Sequence, residues 1–266
     1  MKQVFITGAS AGIGLAIAKA LCDRGDAVWG TSRNRERVPK LPGLCPVQLD
    51  LADSNSIERA FDQALSEAGY FDVVVNNAGS GHFGPAESLS LTAITDQFQV
   101  LVLGQIQLMQ LALRAMRERE KGLIINVTSL ASRLPVPFMA AYNAGKAAIA
   151  SFTMSVQLEL PDSRIRIVDL QPGDICTQFN DAVVKSGADV RYDARVAKTW
   201  DAVEKNMRGA PPPELVARRL LTLIDDVDPP PRVTVGDAFQ TKVAPLINRF
   251  LSQRVRIWGL KKYYGI

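Results

Sequence analysis

The first fourteen residues constrain the fold of this chain more than any other stretch. A short apolar segment at 2–7 runs directly into a glycine-rich turn, GASAGIG at residues 8–14, where an apolar-periodic segment begins. The order of strand, glycine turn and helix lets the backbone approach a pyrophosphate. The first turn of the helix adds free N–H groups and the positive end of its dipole. The turn therefore predicts nucleotide binding.

Alternating strand and helix patterns follow this first unit. Apolar runs at 27–31, 45–49 and 71–75 predict three further strands, and the periodic segment 57–65 predicts a helix. Nearly continuous apolar strands that alternate with helices indicate a parallel sheet covered on both faces. We therefore expect an α/β fold with a doubly wound parallel sheet, in which ligands bind at the carboxyl ends of the strands.

Length and composition indicate the organisation of the chain. With 266 residues, 47% of them hydrophobic, the chain can bury a core for one α/β domain over 1–266. No run of eighteen apolar residues is present, and an apolar segment begins already at Val4, which leaves no room for a signal peptide. We therefore expect a cytoplasmic protein. The three cysteines are widely spaced and lack a CxxC pair, so neither a disulfide framework nor a zinc site is predicted.

The net charge of +4 originates at one end of the chain. Residues 242–266 carry six basic residues and no acidic residue; with these set aside, 25 basic residues remain against 27 acidic ones, a balance of −2. Because the body of the chain is not basic, the charge distribution argues against a nucleic-acid-binding protein.

Further motifs occur in order along the chain. They are Asn76-Asn77-Ala78-Gly79 after a strand, Ser129 after the predicted strand 123–128, Tyr142 and Lys146 on a predicted helix over 140–160, and Pro172-Gly173. Together with Thr7-Gly8-x-x-x-Gly12-Ile13-Gly14, this set resembles the short-chain dehydrogenases/reductases over almost the whole chain. The resemblance implies one Rossmann-type domain. It also implies an oxidoreductase that uses a nicotinamide dinucleotide to interconvert a ketone or aldehyde and an alcohol.

Tyr142 and Lys146 form the centre of the expected active site. They lie one turn apart on the predicted helix, so their head groups can approach the same small volume. A phenol has a pKa of about 10, and a nearby ammonium lowers it, which suits Tyr142 to exchange a proton with a substrate oxygen. The resemblance implies that Ser129 binds the same oxygen and that Lys146 also holds the nicotinamide ribose.

The end of the second strand bears on the choice of dinucleotide. Ser32 and Arg33 stand where an acidic residue would bind a ribose 2′-hydroxyl, and a cation there suits a 2′-phosphate, so we expect NADP(H) in preference to NAD(H). Against this stand Ala11, where NADP-using relatives often carry a second basic residue, and the alternative that Arg33 merely begins a solvated charged run. The residues that the resemblance assigns to the cofactor are Gly8, Ser10, Gly12, Ile13, Gly14, Arg33, Asp50, Leu51, Asn77, Ala78, Gly79, Tyr142, Lys146, Pro172, Gly173, Ile175 and Thr177.

One position departs from the pattern of the family. Most relatives carry an asparagine three residues before Gly104, where it orders a water beside the lysine, and this chain has Leu101. A leucine side chain forms no hydrogen bond. Two interpretations remain open. Either Gln97 or Gln105, one helical turn away, takes over the water, or the protein is a dinucleotide-binding regulatory or sensor protein with weak or no turnover.

The substrate side carries fewer signals. Residues 178–210 are polar with scattered aromatic residues and predict a mobile substrate lid, and His82 receives no catalytic or metal role. Residues 237–266 form a basic amphipathic extension, which predicts either a helix packed on its own domain or subunit, or weak contact with an anionic membrane surface. The extension resembles relatives that act on lipophilic alcohols and ketones, which implies a lipophilic small-molecule substrate. Relatives associate through the helices expected here over 90–119 and 140–160, which implies a homodimer or homotetramer.

Overall fold

A seven-stranded parallel sheet forms the centre of the molecule. The computed structural model describes residues 1–161, 163–186 and 190–266. The strands are β1 (Gln3–Ile6), β2 (Ala27–Ser32), β3 (Leu44–Gln48), β4 (Val73–Asn76), β5 (Gly81–Phe83), β6 (Lys121–Val127), β7 (Arg164–Pro172), β8 (Val183–Lys185) and β9 (Arg232–Val235). Their order in the sheet is β3-β2-β1-β4-β6-β7-β9, and β5 pairs separately with β8. The predicted doubly wound parallel sheet is confirmed.

Helices cover both faces of this sheet. They are α1 (Gly12–Asp23), α2 (Ser54–Ala68), α3 (Leu91–Phe98), α4 (Gly104–Arg117), α5 (Ala140–Glu159), α6 (Asp193–Gly209), α7 (Glu214–Asp225), α8 (Ala244–Phe250) and α9 (Gln253–Tyr264). The two layers follow from the alternation of side chains along a strand. Val4 and Ile6 of β1 belong to the apolar cluster under α1 and α7, whereas Phe5 packs against Phe61 and Phe71 on the opposite face, at 5.4 Å between ring centroids in both pairs.

The strand order reverses at β1. Strands β2 and β3 lie on one side of β1, and β4, β6, β7 and β9 lie on the other. In an open parallel sheet, a ligand crevice opens at such a reversal, outside the carboxyl ends of the strands. The segments that follow β1, β4, β6 and β7 therefore meet in one place.

Two stretches of π-helix interrupt the helices beside this crevice. The long helix expected over 90–119 consists of α3, a π-helical segment Gln99–Leu103 and α4. A second π-helical segment, Phe239–Val243, precedes α8, and the backbone becomes extended at Leu251 before α9 begins. The extension at 237–266 is therefore helical, as expected, but is divided into separate helices.

The segment 178–210, expected to be a mobile lid, contains regular structure on either side of residues 187–189, which lie outside the described residues. Strand β8 pairs in parallel with β5, and α6 forms the end of the segment. The Trp200 ring of α6 packs edge-on against Phe83 of β5, with centroids 4.8 Å apart. The segment is thus fastened to the loop after β4. Within the described ranges, no helix has both the length and the hydrophobicity to cross a membrane.

Candidate active site and cofactor cleft

The turn between β1 and α1 brings backbone against backbone. A Cβ atom at Gly14 would lie 2.1 Å from the carbonyl oxygen of Gly8 and 2.5 Å from Nδ2 of Asn77. Gly8 itself has a φ of +74°, in the left-handed region that side chains disfavour. The turn therefore requires glycine at both positions, and it presents backbone rather than side chains to the cleft.

Hydrogen bonds join this turn to the loop after β4. The Thr7 hydroxyl accepts hydrogen bonds from the backbone N–H groups of Asn77 and Ala78, at 2.9 and 3.0 Å. The Asn77 side-chain amide donates to the Thr7 carbonyl oxygen at 2.9 Å. Thr7 therefore fixes the glycine turn and the loop after β4 relative to each other, a role that the motif alone did not reveal.

The N-terminus of α1 meets the cleft without a capping side chain. Ala11 occupies the N-cap position, where no side-chain hydrogen bond is made, and the first turn holds no acidic residue. The unpaired N–H groups of such a helix end and its dipole favour an anion. Because the glycine turn also leaves room for close approach, these residues fit the pyrophosphate of a dinucleotide.

Two arginines border the outer end of the cleft. Arg33 and Arg37 both line it and are exposed, and neither guanidinium takes part in a hydrogen bond or ion pair within the part of the chain that the structure describes. Arg37 comes from the short 3-10 helix that follows β2. Arg37 is thus a second cation that lines the cleft, whereas Ala11 of the glycine turn carries no charge.

Ser129, Tyr142 and Lys146 converge in the same cleft. The Ser129 hydroxyl, just after β6, accepts a hydrogen bond from the backbone N–H of Ala131 at 3.1 Å. Lys146 is buried, and its ammonium donates to the carbonyl oxygen of Val127 at 2.8 Å. Its Nζ lies 6.0 Å from the centre of the Tyr142 ring. All three side chains line the same cleft, at the end of β6 and the start of α5.

Burial dominates the protonation of the tyrosine and the lysine. It raises the pKa of Tyr142 to about 12, an effect that the Ser129 hydroxyl partly offsets and the carboxylate of Asp174 reinforces. Burial lowers the pKa of Lys146 to about 8, against the opposing effect of the Asp169 carboxylate. The lowered pKa predicted for Tyr142 is therefore wrong for the protein without ligand. The prediction rested on the neighbouring cation, whereas the loss of water around the buried phenol has the larger effect. Without a bound ligand, Tyr142 is therefore a protonated phenol at neutral pH.

The side chain of Leu101 occupies the position where the family resemblance predicts asparagine. Leu101 is fully buried in the π-helical segment Gln99–Leu103. One of its methyl groups lies 3.1 Å from the place where a Cβ atom would stand at Gly79, and the other lies 3.1 Å from the corresponding place at Gly145. The leucine therefore packs the loop after β4 against α5, and it gives the lysine no hydrogen-bond partner.

The two glutamines proposed as substitutes for the asparagine both reach the loop after β4. Gln97 donates its Nε2 to the carbonyl oxygen of Ser80 at 3.1 Å, and Gln105 donates its Nε2 to the carbonyl oxygen of Ala78 at 2.9 Å. Both side chains are buried, and among the described residues neither Oε1 has a hydrogen-bond partner. The glutamines thus support the backbone of the cofactor loop, and each retains an unused acceptor.

The cleft has a volume of about 1010 Å³. One wall carries the residues predicted to bind the cofactor, and a second wall is formed by other residues. This wall comes from α6 and from the extension 237–266, and most of it is apolar or aromatic. Its apolar and aromatic residues are Val203, Met207, Phe239, Ala244, Ile247, Leu251, Val255, Trp258, Leu260, Tyr263 and Tyr264. The extension therefore lines the cleft, a role that the sequence analysis did not assign to it.

Every residue that the sequence assigned to catalysis or to the cofactor lines this single cleft. His82 does not line it, and its Nδ1 lies 3.2 Å from the Ser186 hydroxyl oxygen. Arg37 and the aromatic residues of α9 also line the cleft, but no sequence motif marks them. Over the described ranges, no group of three or more histidine, cysteine or acidic side chains is placed to hold a metal ion.

Comparison with known proteins agrees with this geometry. The family model described as short chain dehydrogenase matches residues 2–188. The chain is 28% identical over 274 residues to the 3-ketodihydrosphingosine reductase of Bacteroides thetaiotaomicron, an alignment that covers 99% of this chain and 98% of that protein.

Solved structures show the same fold. A short-chain dehydrogenase from Streptomyces avermitilis has a TM-score of 0.82 at 27% identity, covering 98% of this chain and 96% of its own. An alcohol dehydrogenase from Thermococcus sibiricus complexed with 5-hydroxy-NADP has a TM-score of 0.73 at 28% identity, covering 90% and 97%. A 3-ketoacyl-(acyl-carrier-protein) reductase from Brucella melitensis complexed with NADH has a TM-score of 0.71 at 26% identity, covering 84% and 90%. The chain belongs to the short-chain dehydrogenase family of oxidoreductases, as its motifs predicted.

Proposed function

We propose that this short-chain dehydrogenase is an NADP(H)-dependent enzyme that interconverts a lipophilic ketone or aldehyde and the corresponding alcohol. The observation that carries the proposal is the convergence of Ser129, Tyr142 and Lys146 beside a glycine turn built for a pyrophosphate. The convergence supports proton exchange on a substrate oxygen next to a bound dinucleotide.

Each of the three residues has a separate role in the proposed reaction. When bound, the nicotinamide supplies or accepts the hydride. Tyr142 donates the proton to the carbonyl oxygen in the direction of reduction, and Ser129 donates a hydrogen bond to the same oxygen. Lys146, anchored on the carbonyl of Val127, holds the nicotinamide ribose. The segment 178–210 covers the cleft as a substrate lid. The cofactor residues, the catalytic residues and the lid all belong to one Rossmann-type domain.

The preference for NADP(H) rests on the two cations at the outer end of the cleft. A 2′-phosphate there would pair with Arg33 and Arg37, and a charge-assisted hydrogen bond contributes about 1.5–3 kcal/mol. We expect Arg33→Ala or Arg37→Ala to weaken NADPH binding by about tenfold or more and to leave NADH binding nearly unchanged. Arg35→Ala is the matched control, because this arginine lies on the same short helix and does not line the cleft. Equal loss for both dinucleotides would overturn the preference.

The lipophilic character of the substrate rests on the wall formed by α6 and the extension 237–266. Its aliphatic and aromatic side chains bind hydrocarbon rather than sugars or other polar metabolites. The relative from Bacteroides thetaiotaomicron, which covers the extension as well, is named for a reductase of 3-ketodihydrosphingosine. Assays of NADPH and NADH oxidation with short-chain and long-chain ketones test this. A preference for the short-chain members would contradict it.

The second candidate is a dinucleotide-binding sensor with weak or no turnover, and Leu101 is the observation that favours it. With leucine at this position, the lysine lacks the usual relay to solvent. Tight dinucleotide binding without turnover of any ketone or alcohol would favour the sensor.

Two associations complete the proposal for a cytoplasmic protein. Leu103, Met154 and Leu158 are exposed on or beside α4 and α5 and would form the interface of a homodimer or homotetramer. Sedimentation of wild type and Leu158→Glu tests this interface.

Phe250 and Trp258 are exposed on the basic extension 237–266 and would make weak contact with an anionic membrane surface. Cosedimentation with phosphatidylserine vesicles tests that contact, and a failure of the full chain to bind would exclude it.

A further inference from the structure

One carboxylate in the cleft has no cationic partner among the residues that the structure describes. Asp174 follows β7 and lines the cleft together with Tyr142. None of the ion pairs formed among the described residues includes it. Burial raises the pKa of Asp174, and the nearby carboxylate of Asp237 adds to the effect. A carboxylate in an apolar cleft is costly unless a partner reaches it.

A buried glutamine orients this carboxylate. Gln240 donates its Nε2 to Oδ2 of Asp174 at 2.7 Å, and its Oε1 accepts the backbone N–H of Asp174 at 3.0 Å. The other carboxylate oxygen, Oδ1, takes part in no hydrogen bond with the described residues. The pair of bonds therefore holds the carboxylate in place and leaves one oxygen for a ligand.

Two aromatic residues of α9 line the same cleft. Burial raises the pKa of Tyr142, Tyr263 and Tyr264, and the Asp174 carboxylate adds to the effect, so it lies within electrostatic range of the three phenols. The Tyr263 and Tyr264 rings stand edge to face, with centroids 5.0 Å apart, and both line the cleft. A carboxylate beside aromatic faces is a combination that binds ammonium groups.

We propose that Asp174, together with Tyr263 and Tyr264, binds a protonated amine that the substrate carries within a few bonds of its reacting carbonyl. The inference rests on the proposed function and narrows its substrate class to lipophilic amino ketones and amino alcohols. The amine takes no part in the redox step. In reduction, the carbonyl carbon gains a hydride from the nicotinamide and the carbonyl oxygen gains the proton of Tyr142. The amine stays bonded to the substrate and is not changed.

Binding of the amine also acts on catalysis. An ammonium at Asp174 offsets the negative charge that helps to raise the pKa of Tyr142, so a correctly bound substrate eases the loss of the phenol proton. A neutral ketone of the same length would not provide this effect. Arg256 lines the cleft too, from α9, and makes its own interaction with the protein. An anionic substrate would use this arginine, and the experiment therefore includes an acidic probe.

The test compares three long-chain probes: their binding to the protein loaded with NADPH, which cannot accept a hydride from an alcohol, and their oxidation with NADP⁺. The probes are a vicinal amino alcohol, its isostere with a methyl group in place of the amine, and its isostere with a carboxylate there. We expect calorimetry to show the amino alcohol binding about tenfold or more tightly than either isostere, and oxidation rates to follow the same order. Asp174→Asn, which keeps an acceptor for Gln240, removes the advantage of the amino alcohol and changes the methyl isostere by less than about threefold. Asp237→Asn, the neighbouring carboxylate outside the cleft, leaves the order intact.

Several results would overturn the inference. They are equal binding of the amino and methyl compounds by wild type, tighter binding of the acid, no binding of the amino alcohol, and an equal loss for all probes in Asp174→Asn. If Asp174→Asn does not fold, the comparison of the probes on wild type still decides. Binding is measured without turnover, so an Asp174-dependent preference for the amine in a protein that oxidises nothing supports the amine site and refutes the proposed enzyme.

Discussion

The two walls of the cleft are built in different ways. The wall that carries the proposed cofactor residues, called the cofactor wall, consists of loop backbone. Hydrogen bonds from Thr7 to the loop after β4, and contacts that only glycine permits at Gly14, hold it in place. The substrate wall consists of side chains from α6, α8 and α9, among which Leu251, Val255 and Trp258 are also exposed at the rim. One wall is defined by where the backbone lies, and the other by which side chains cover it.

This difference explains how far each wall can vary. A backbone cradle tolerates few residue types, because an added carbon atom meets another main chain. A wall of apolar side chains accepts exchanges of similar size at small cost. We therefore expect substitutions in the cofactor wall to affect every substrate, and substitutions in the substrate wall to affect some substrates and not others.

The largest effect is expected at the boundary between the walls. Tyr142→Phe removes the proton donor and should lower kcat by about 10²–10⁴ with the best substrate, since general acid catalysis contributes that much. Steady-state kinetics with saturating dinucleotide measures the loss. Tyr70→Phe makes the same chemical change outside the cleft and should leave kcat unaltered. A Tyr142→Phe variant with more than a tenth of wild-type kcat would show that another group supplies the proton.

Leu101→Asn tests whether the cofactor wall needs a water relay or a packed core. We expect the amide to destabilise the fold by about 2–4 kcal/mol, because it loses the leucine contacts and lacks partners in a fully buried site, and we expect no gain in kcat. Urea unfolding and kinetics measure the two quantities. Leu246→Asn, at a leucine that is 54% exposed on α8, should change stability by less than about 0.5 kcal/mol. A tenfold rise in kcat at position 101 would restore the relay interpretation.

The buried lysine should give the cofactor wall a pH signature. The folded pKa of Lys146 is about 8, below its ordinary value of 10.5, so between these values the unfolded chain binds more protons and the free energy of unfolding rises with pH. We expect a rise of about 2–3 kcal/mol from this group. Urea titrations from pH 8 to 10 measure it as the difference between wild type and Lys146→Met, since the raised pKa of Cys22 and of Cys45 lowers the stability of both proteins with rising pH in this range.

Two lysine variants separate this effect from general charge effects. Lys146→Met should abolish the rise, and Lys261→Met, at an exposed lysine of α9, should keep it. A rise that persists in Lys146→Met would assign the titration to another group.

Gly14→Ala is expected to lower both the stability of the fold and the affinity for the dinucleotide. The added methyl group would meet the Gly8 carbonyl, and relief of this overlap costs about 1–3 kcal/mol. Because the turn shifts, dinucleotide binding should weaken about tenfold, as measured by fluorescence titration. Gly209→Ala, at the end of α6 with no atom within 4 Å of the new methyl group, should leave dinucleotide affinity unchanged. Equal dinucleotide affinity in all three proteins would mean that the cradle is not the binding site.

The sequence was informative where chemistry depends on local backbone. The turn at residues 8–14, the alternation of strands and helices, and the spacing of Tyr142 and Lys146 all arise from neighbours along the chain, so they predicted the sheet and the residues that line the cleft. Three features escaped prediction. The raised pKa of Tyr142 depends on burial by distant segments, Arg37 lacks a motif, and the C-terminal aromatic residues reach the cleft only through the tertiary fold.

The π-helical segment Gln99–Leu103 determines how the side chains of α3 before it and α4 after it are rotated relative to each other about the helix axis. Gln97 and Gln105 are eight residues apart, and in an uninterrupted α-helix they would point about 80° away from each other. A π-helical turn takes up one extra residue, which brings the two side chains to within about 20°. Both glutamines can therefore reach the same loop. Deleting a single residue from the segment would rotate one of them away, so the chain length at this point is itself a requirement of the site.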